Sequence, residues 1–448
     1  MSKKLAENKF LRWGILILVG FILSVNYYFY DAFSTLKELL VQEFDFSNTQ
    51  YGLFVAFYSI PNTFLLMAVI GGVILDKLGI RRTGFMFIFF MAFGAVLTAY
   101  GASDYYTNGL GYGLMSSFLP NYSPELKMML LGRFFYGLGA ETSIVVISKV
   151  LVKWFKGKDL ALAFGLKVGF GRLGTFAALN ASPILVKSGG LNTAVWLAAI
   201  LVLVGLLAFI VYILFDLRFD KESEDKQVLL TEKDKFKISD IWAILTNRAY
   251  IFIALLCVTF YSAVFPFVAF APDFFANKFG MSAVASGQIT SLLPLGTMIF
   301  TPIFGALIDR LGKAASVMTF GALILVIVHL TFALTNLPPY LPMILLGVSF
   351  SLVPAAMWPT MVKLVDEKQI GTAYGLMYSI QNLGLWGFPI LAGMILDATN
   401  PGEPEVLNYT YTILMFAALG FFGLFFGYML KHNDKKYGLG VDQPLNKK

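Results

Sequence analysis

Most of the residue types on which soluble chemistry depends are scarce in this chain of 448 residues. One cysteine, Cys257, leaves no disulfide framework. Two histidines, His329 and His432, lie far apart, and no metal-ligating or nucleophilic constellation forms around either. Charged residues make up 14% of the chain, against about 25% in an ordinary soluble protein. No G-x-x-x-x-G-K-[ST] loop occurs, so ATP drive has no support. These absences argue against an enzyme, and neither a cofactor nor a metal is expected.

Apolar length is what the chain has instead. Hydrophobic residues reach 58%, and the mean hydropathy is +0.73. Apolar runs recur along the whole chain, each passing the roughly 18 residues that can span a bilayer. The runs are continuous rather than alternating, which excludes a β-barrel. The expected fold class is therefore an all-α integral membrane protein. Twelve spans are expected, at 12–34, 50–75, 83–101, 128–152, 158–186, 192–215, 248–272, 282–308, 315–335, 340–363, 370–396 and 408–431.

An even number of spans puts both termini on one side. Loops on that side hold Lys77, Arg81, Arg82, Lys153, Lys156, Lys158, Arg310, Lys313, Lys363 and Lys368. The opposite loops hold Lys37, Lys127, Lys187 and Lys278. The bias predicts cytosolic termini. It also accounts for the net charge of +7 without a nucleic-acid partner. The basic start "MSKKLAENKFLRWG" leads into an apolar run of full length, which reads as a cytosolic tail and first span rather than a cleaved signal.

Residues 216–247 form the longest polar segment and read as a cytosolic linker with a short amphipathic helix near its end. The segment separates a half at 1–215 from a half at 248–448, and the halves resemble each other. "GGVILDKLGIRR" (71–82) is echoed by "FGALIDRLGK" (304–313). "AFGLKVGFGRLG" (163–174) is echoed, 210 positions on, by "AYGLMYSIQNLG" (373–384). "LLGRFFYGLGAE" (130–141) aligns with "LLGVSFSLVPAA" (345–356). Three matches at corresponding spans point to an internal duplication, the plan of a transporter with two pseudo-symmetric six-helix halves.

"GGVILDKLGIRR" resembles the loop motif of the major facilitator superfamily, and "GRFFYGLGAE" resembles its fourth-helix motif. The resemblance covers all twelve spans. "AVFPF" (263–267), "LLGVSFSLVPAAMWPTMV" (345–362) and "GTAYGLMYSIQNLGL" (371–385) look like the branch of major facilitator superfamily domain-containing protein 1, the lysosomal dipeptide uniporter. That resemblance implies dipeptide transport by alternating access. The N-terminal tail lacks the acidic dileucine form of a lysosomal sorting signal, so a bacterial homologue in the cell inner membrane is expected, as a monomer in the lipid bilayer.

Charge inside the spans is the sharpest signal. Such a residue costs about 2.5–3.5 kcal/mol at a helix centre. Glu141 and Arg172 sit halfway along the fourth and fifth spans, while their duplicates in the second half are the uncharged Ala356 and Asn382. The fold therefore does not demand charge there. A dipeptide is a zwitterion, and Glu141 is suited to its ammonium and Arg172 to its carboxylate. The alternative is a permanent Glu141–Arg172 ion pair. Lys167 is a further substrate candidate or snorkels toward the surface. Arg133 either relays charge or orders packing. Glycines 165, 169, 171 and 174 are expected to permit close helix approach.

Pocket walls are expected from Tyr28, Tyr261, Trp358, Tyr378, Gln381 and Asn382. The resemblance implies that Asp76, Arg81 and Arg82, with the weaker copy Asp309 and Arg310, latch the cytosolic face. Uniport competes with proton-coupled symport or antiport, in which Glu141 or Asp31 would carry the proton. Organic anions and lipophilic drugs remain rival substrates, and a non-transporting membrane sensor is a distant alternative.

Overall fold

The computed structural model describes residues 8–107, 109–155, 157, 159–222, 238–366, 369–402 and 404–444. Among these, ten helical stretches are long and apolar enough to cross a membrane, and they make twelve crossings. The numbers differ because some helices run through a turn.

The first crossing is α1 (Lys9–Ala32), whose Asn8 side chain caps the Leu11 amide at 3.3 Å. A short 3-10 turn, Phe33–Leu36, leads into α2 (Lys37–Phe44). The second crossing is broken into α3 (Asn48–Phe57), α4 (Ile60–Phe64) and the start of α5 (Met67–Gly101). Ser47 and Gln50 form a capping box at the head of α3. Pro61 supplies no amide hydrogen, and Leu66 turns left-handed at φ 50°. Both interrupt the helical ladder. Within α5 the chain reverses at Gly79, whose φ of 77° suits a residue without a Cβ, and so passes directly into the third crossing.

After α6 (Tyr112–Ser116) comes the fourth crossing, α7 (Pro124–Phe155). The fifth and sixth share α8 (Leu160–Glu222), broken at Gly189 and at Gly190, where φ is 72°. Of the expected linker at 216–247, residues 216–222 extend α8, α9 (Ile238–Thr246) is a short helix, and 223–237 lie outside the described residues.

The second half runs α10 (Arg248–Phe279), α11 (Ala283–Thr290) with α12 (Leu292–Leu311), α13 (Ala314–Leu334), α14 (Tyr340–Lys363), α15 (Ile370–Thr399) and α16 (Thr410–Tyr437). Prolines 266, 272, 302, 354, 359 and 389 sit inside these helices, where they favour bends.

Within the first half α5 packs on α7 and α1 on α8; within the second, α13 packs on α16 and α14, and α10 on α15 and α16. Between halves α15 meets α3, and α8 meets α11 and α12. Large apolar side chains point outward in helical stripes, such as Ile200, Leu203, Leu207, Ile210 and Leu214. Water would penalise such a surface, whereas lipid tails accept it.

The glycine stripe on α8 is used only in part. A Cβ at Gly174 would sit 2.0 Å from the Ser24 carbonyl, and one at Gly171 would sit 3.0 Å from the Tyr27 ring. Gly165 and Gly169 meet nothing within 4 Å. The expectation of close helix approach is corrected at these two positions.

Candidate functional site

A central cavity of about 1180 Å³ lies between the halves, with walls from α1, α4-flanking residues, α5, α7 and α8 on one side and α10, α12, α14 and α15 on the other. Its lining reaches Asp76, Lys77, Ser148, Gly371 and Thr372, which belong to the end of the molecule that bears the termini. The cavity therefore opens toward that terminus end.

Glu141 and Arg172 both line it, and no hydrogen bond or ion pair joins them among the described residues. Glu141 Oε1 accepts from the Tyr58 hydroxyl at 2.6 Å. The Arg172 guanidinium stands against three aromatic rings, Phe350 at 5.3 Å, Tyr27 at 5.8 Å and Phe265 at 6.0 Å. Neither Glu141 nor Arg172 forms an ion pair among the described residues. A permanent Glu141–Arg172 pair is not present here.

On the facing wall, Trp358 donates its indole N–H to the Tyr261 hydroxyl at 3.0 Å and stacks on Tyr378 at 4.6 Å and on Tyr374 at 5.7 Å. Asn382 donates to the Tyr378 carbonyl at 3.0 Å, leaving its buried Oδ1 without a partner. Gln381 accepts from the Cys257 thiol at 3.8 Å. Tyr261, Trp358, Tyr378, Gln381 and Asn382 all line the cavity. Lys167 lines it too, donating to Ser148 Oγ at 2.5 Å and to the Ile144 carbonyl at 3.4 Å.

Tyr28 is where the structure departs from the sequence expectation. Its ring is buried away from the cavity, and Tyr27 and Tyr30 of the same "NYYFY" stretch supply the wall. One residue turns a helix by about 100°, so adjacent tyrosines face different neighbours. Sequence reasoning also missed Tyr58 and Phe350. Tyr58 belongs to none of the quoted motifs, and Phe350 lies within the 345–362 stretch without any feature that singles it out; helix rotation turns both to the cavity.

Arg133 is 1% exposed and lies outside the cavity lining, with its guanidinium 4.5 Å from the centre of the Phe54 ring. Tyr30 and Phe33 add two further rings at 5.2 Å each, and the Arg133 Nε and Nη1 have no hydrogen-bond partner among the described residues. Asp31 is buried beneath the cavity and accepts from Thr175 at 2.6 Å.

The loop charges pair within the first half. Asp76 bonds Lys149, and Arg81 reaches Asp220 at 3.1 Å and Asp216 at 3.6 Å. Lys153 joins the same two carboxylates at 2.6 and 2.8 Å. Arg82, Asp309 and Arg310 are exposed and form no ion pair among the described residues. Among the described residues, none of these charges forms an ion pair across the halves at this end.

The opposite, far end is sealed. Lys37 of α2 and Asp273 of α10 form a buried ion pair at 2.6 Å, which Tyr409 joins through its hydroxyl. The Tyr51 hydroxyl crosses to the Ala269 carbonyl at 2.9 Å. Asp397 of α15 accepts from the Asn48 and Thr49 amides at 3.0 and 2.8 Å, at the N-terminus of α3. The backbones touch there: a Cβ on Gly52 would sit 2.2 Å from the Pro389 carbonyl, and one on Gly393 would sit 2.1 Å from that of Asn48.

Comparison with known proteins agrees with this architecture. A family model described as Major Facilitator Superfamily matches residues 16–389. The chain is 32% identical over 399 residues to the lysosomal dipeptide transporter MFSD1 of Mus musculus, covering 86% of this chain and 80% of that protein. The Homo sapiens MFSD1 is 32% identical over 401 residues, with the same coverage of 86% and 80%. Among solved structures, a bacterial homologue of the human lysosomal transporter Spinster, in an inward-facing and occupied conformation, superposes with a TM-score of 0.71. It is 14% identical and covers 96% of this chain and 98% of that one. The chain belongs to the major facilitator superfamily and has its fold of twelve helices in two halves. It is a multi-pass membrane transporter of small molecules, related to transporters rather than enzymes.

Proposed function

We propose that this member of the superfamily moves dipeptides across the membrane as a uniporter, by alternating access of the central cavity. Glu141 takes the peptide ammonium and Arg172 the peptide carboxylate. The observation that carries the reading is that two opposite charges line one cavity inside the membrane without pairing. Ion pairs satisfied by the protein would need no ligand; open ones call for a zwitterion. The likeness to the dipeptide transporter MFSD1 supports the same cargo.

The aromatic wall of Tyr261, Trp358 and Tyr378, with Gln381 and Asn382, offers ring faces and amide groups to the peptide bond and side chains. A wall of that kind tolerates many side chains, because ring faces pack without directional demands. Uniport follows from the assignment of Glu141. A carboxylate engaged by the substrate ammonium in each cycle is not free to carry a proton.

The positive bias of the loops at the terminus end supports a cytosolic placement of that end in an inner membrane. The observed conformation is then inward-facing. Asp76, Arg81 and Arg82, with Asp309 and Arg310, would hold the same end shut in the opposite conformation.

A melting-temperature screen of the purified protein tests the reading. Ligand that binds the folded state alone adds about 2.7 kcal/mol of stability at 100 times its Kd. Free dipeptides should raise the melting temperature. N-acetylation, C-amidation, Glu141→Gln and Arg172→Ala should each remove the shift. Shifts with simple carboxylates or lipophilic cations, and none with dipeptides, would sink it.

A further inference from the structure

We propose that the cavity holds a second, anion-binding subsite at Lys167, which takes a side-chain carboxylate of the cargo and makes acidic dipeptides preferred substrates. The inference rests on the dipeptide reading and specifies its substrate class.

The geometry comes from two antiparallel helices. Ser148 follows Glu141 by seven residues on α7, which is two turns and roughly 10 Å along the same face. Lys167 precedes Arg172 by five residues on α8, roughly 7.5 Å along the axis. Because α7 and α8 run in opposite directions, both steps lead toward the terminus end. Glu141 with Arg172 forms an inner tier, and Ser148 with Lys167 forms an outer one. All four residues line the same cavity.

The outer tier is charged and unbalanced. The Lys167 ammonium bonds Ser148 Oγ and the Ile144 carbonyl, both neutral acceptors, and no carboxylate pairs with it among the described residues. The other acids lining the cavity are engaged elsewhere, Asp76 by Lys149 and Glu141 by Tyr58. An ammonium has three donors, so one remains for a ligand. A lysine serving only to reach the membrane surface would extend toward the open mouth. Here the chain is turned sideways onto the α7 wall, with its Nζ 5.7 Å from the centre of the Phe164 ring. The duplicate position in the second half is Met377, so the fold itself does not require a cation there.

A dipeptide anchored at both ends in the inner tier leaves its side chains to project. A Glu or Asp side chain directed toward the mouth meets Lys167 before Lys77, the other lining cation beyond the inner tier, which sits nearer the mouth and also forms no ion pair among the described residues. The same carboxylate chemistry can come from the C-terminus of a longer peptide, and the test separates the two.

The experiment is calorimetric titration of the intact protein with matched pairs, Ala-Glu against Ala-Gln and Glu-Ala against Gln-Ala, with Ala-Ala as reference. We expect one acidic member to bind about tenfold more tightly than its amide twin, the scale of one charge-assisted hydrogen bond. The ratio should fall to near one in Lys167→Gln and persist in Lys167→Arg. Equal binding of the twins in the parent, or a preference that survives Lys167→Gln, overturns the subsite while Ala-Ala binding leaves the dipeptide reading standing. Failure of every dipeptide to bind removes that reading as well. A Lys167-dependent gain for Ala-Ala-Ala over its C-terminal amide, without one for the acidic dipeptides, reassigns the site to a backbone carboxylate and overturns the side-chain preference.

Discussion

At the far end, Lys37 of the first half and Asp273 of the second meet in a buried pair; at the terminus end, Asp76 and Lys149 meet inside one half. Both ends are rich in charge, and the difference lies in where each charge finds its partner. Arg81 and Lys153 of the first half close a network with Asp216 and Asp220 on the extension of α8 that continues that half. In the second half, Asp442 accepts from the Ala315 amide at 2.8 Å, and Lys363 donates to the Gln443 carbonyl at 2.6 Å. None of these contacts ties one half to the other. Pairs that cross the interface hold an end shut, and pairs that stay within a half leave it free to open. Pairing of this kind suits the proposed alternating access, in which each half moves as a body.

The strongest way to break the comparison is to remove one charge of the crossing pair. Lys37→Met leaves Asp273 buried and unpaired, which costs about 3–5 kcal/mol. That is more than a hundredfold shift against the sealed far end. Spin labels at Gln42→Cys and Ala283→Cys, one on each half and both exposed, should report a new population at longer distance. The double change Lys37→Met, Asp273→Leu should shift it less, because it leaves no orphan charge.

Gly52→Ala should act next. The added methyl meets the Pro389 carbonyl and must push α3 from α15, an overpacking that costs about 1–3 kcal/mol. The same label pair should lengthen, and the melting temperature should fall. A smaller effect is expected from Asp397→Asn, which keeps the shape at the α3 N-terminus but loses the negative charge. Caps and helix-end charges contribute about 1 kcal/mol, so the labels should show a partial shift. The weakest case sharpens the contrast from the other side. Arg82→Gln at the open end should leave both the label distances and the melting temperature as in the parent, because the side chain is exposed and pairs with nothing described. A large shift there would mean that the open end already resists closure through charge.

Much of the fold was legible because it rests on linear properties of the chain. Apolar length marks crossings wherever it occurs, whereas the caps Ser47 before α3 and Gly280 after α10 were seen only in the structure. The break in the second crossing was only half legible: Pro61 is a visible break signal inside the expected span 50–75, whereas Leu66 in a left-handed conformation carries no local signature. Two of the charges that line the cavity were legible where the sequence departs from the duplication. Glu141 and Arg172 stand out because their counterparts are Ala356 and Asn382. Tyr28 misled because a run of aromatic residues gives no phase, and helix rotation chose Tyr27 and Tyr30 for the wall.

By itself, then, the sequence determined that the chain crosses the membrane twelve times in two related halves, and that charges lie where lipid would reject them. Each of these follows from the free energy of placing a residue in lipid or water, which depends on that residue and its neighbours along the chain. Only the tertiary structure decided that Glu141 and Arg172 stay unpaired, that Lys167 turns to Ser148, and that the far end is the sealed one. Those outcomes depend on how helices rotate and which distant residues meet. Lys37 and Asp273 are 236 positions apart, and no property of either segment alone brings them together.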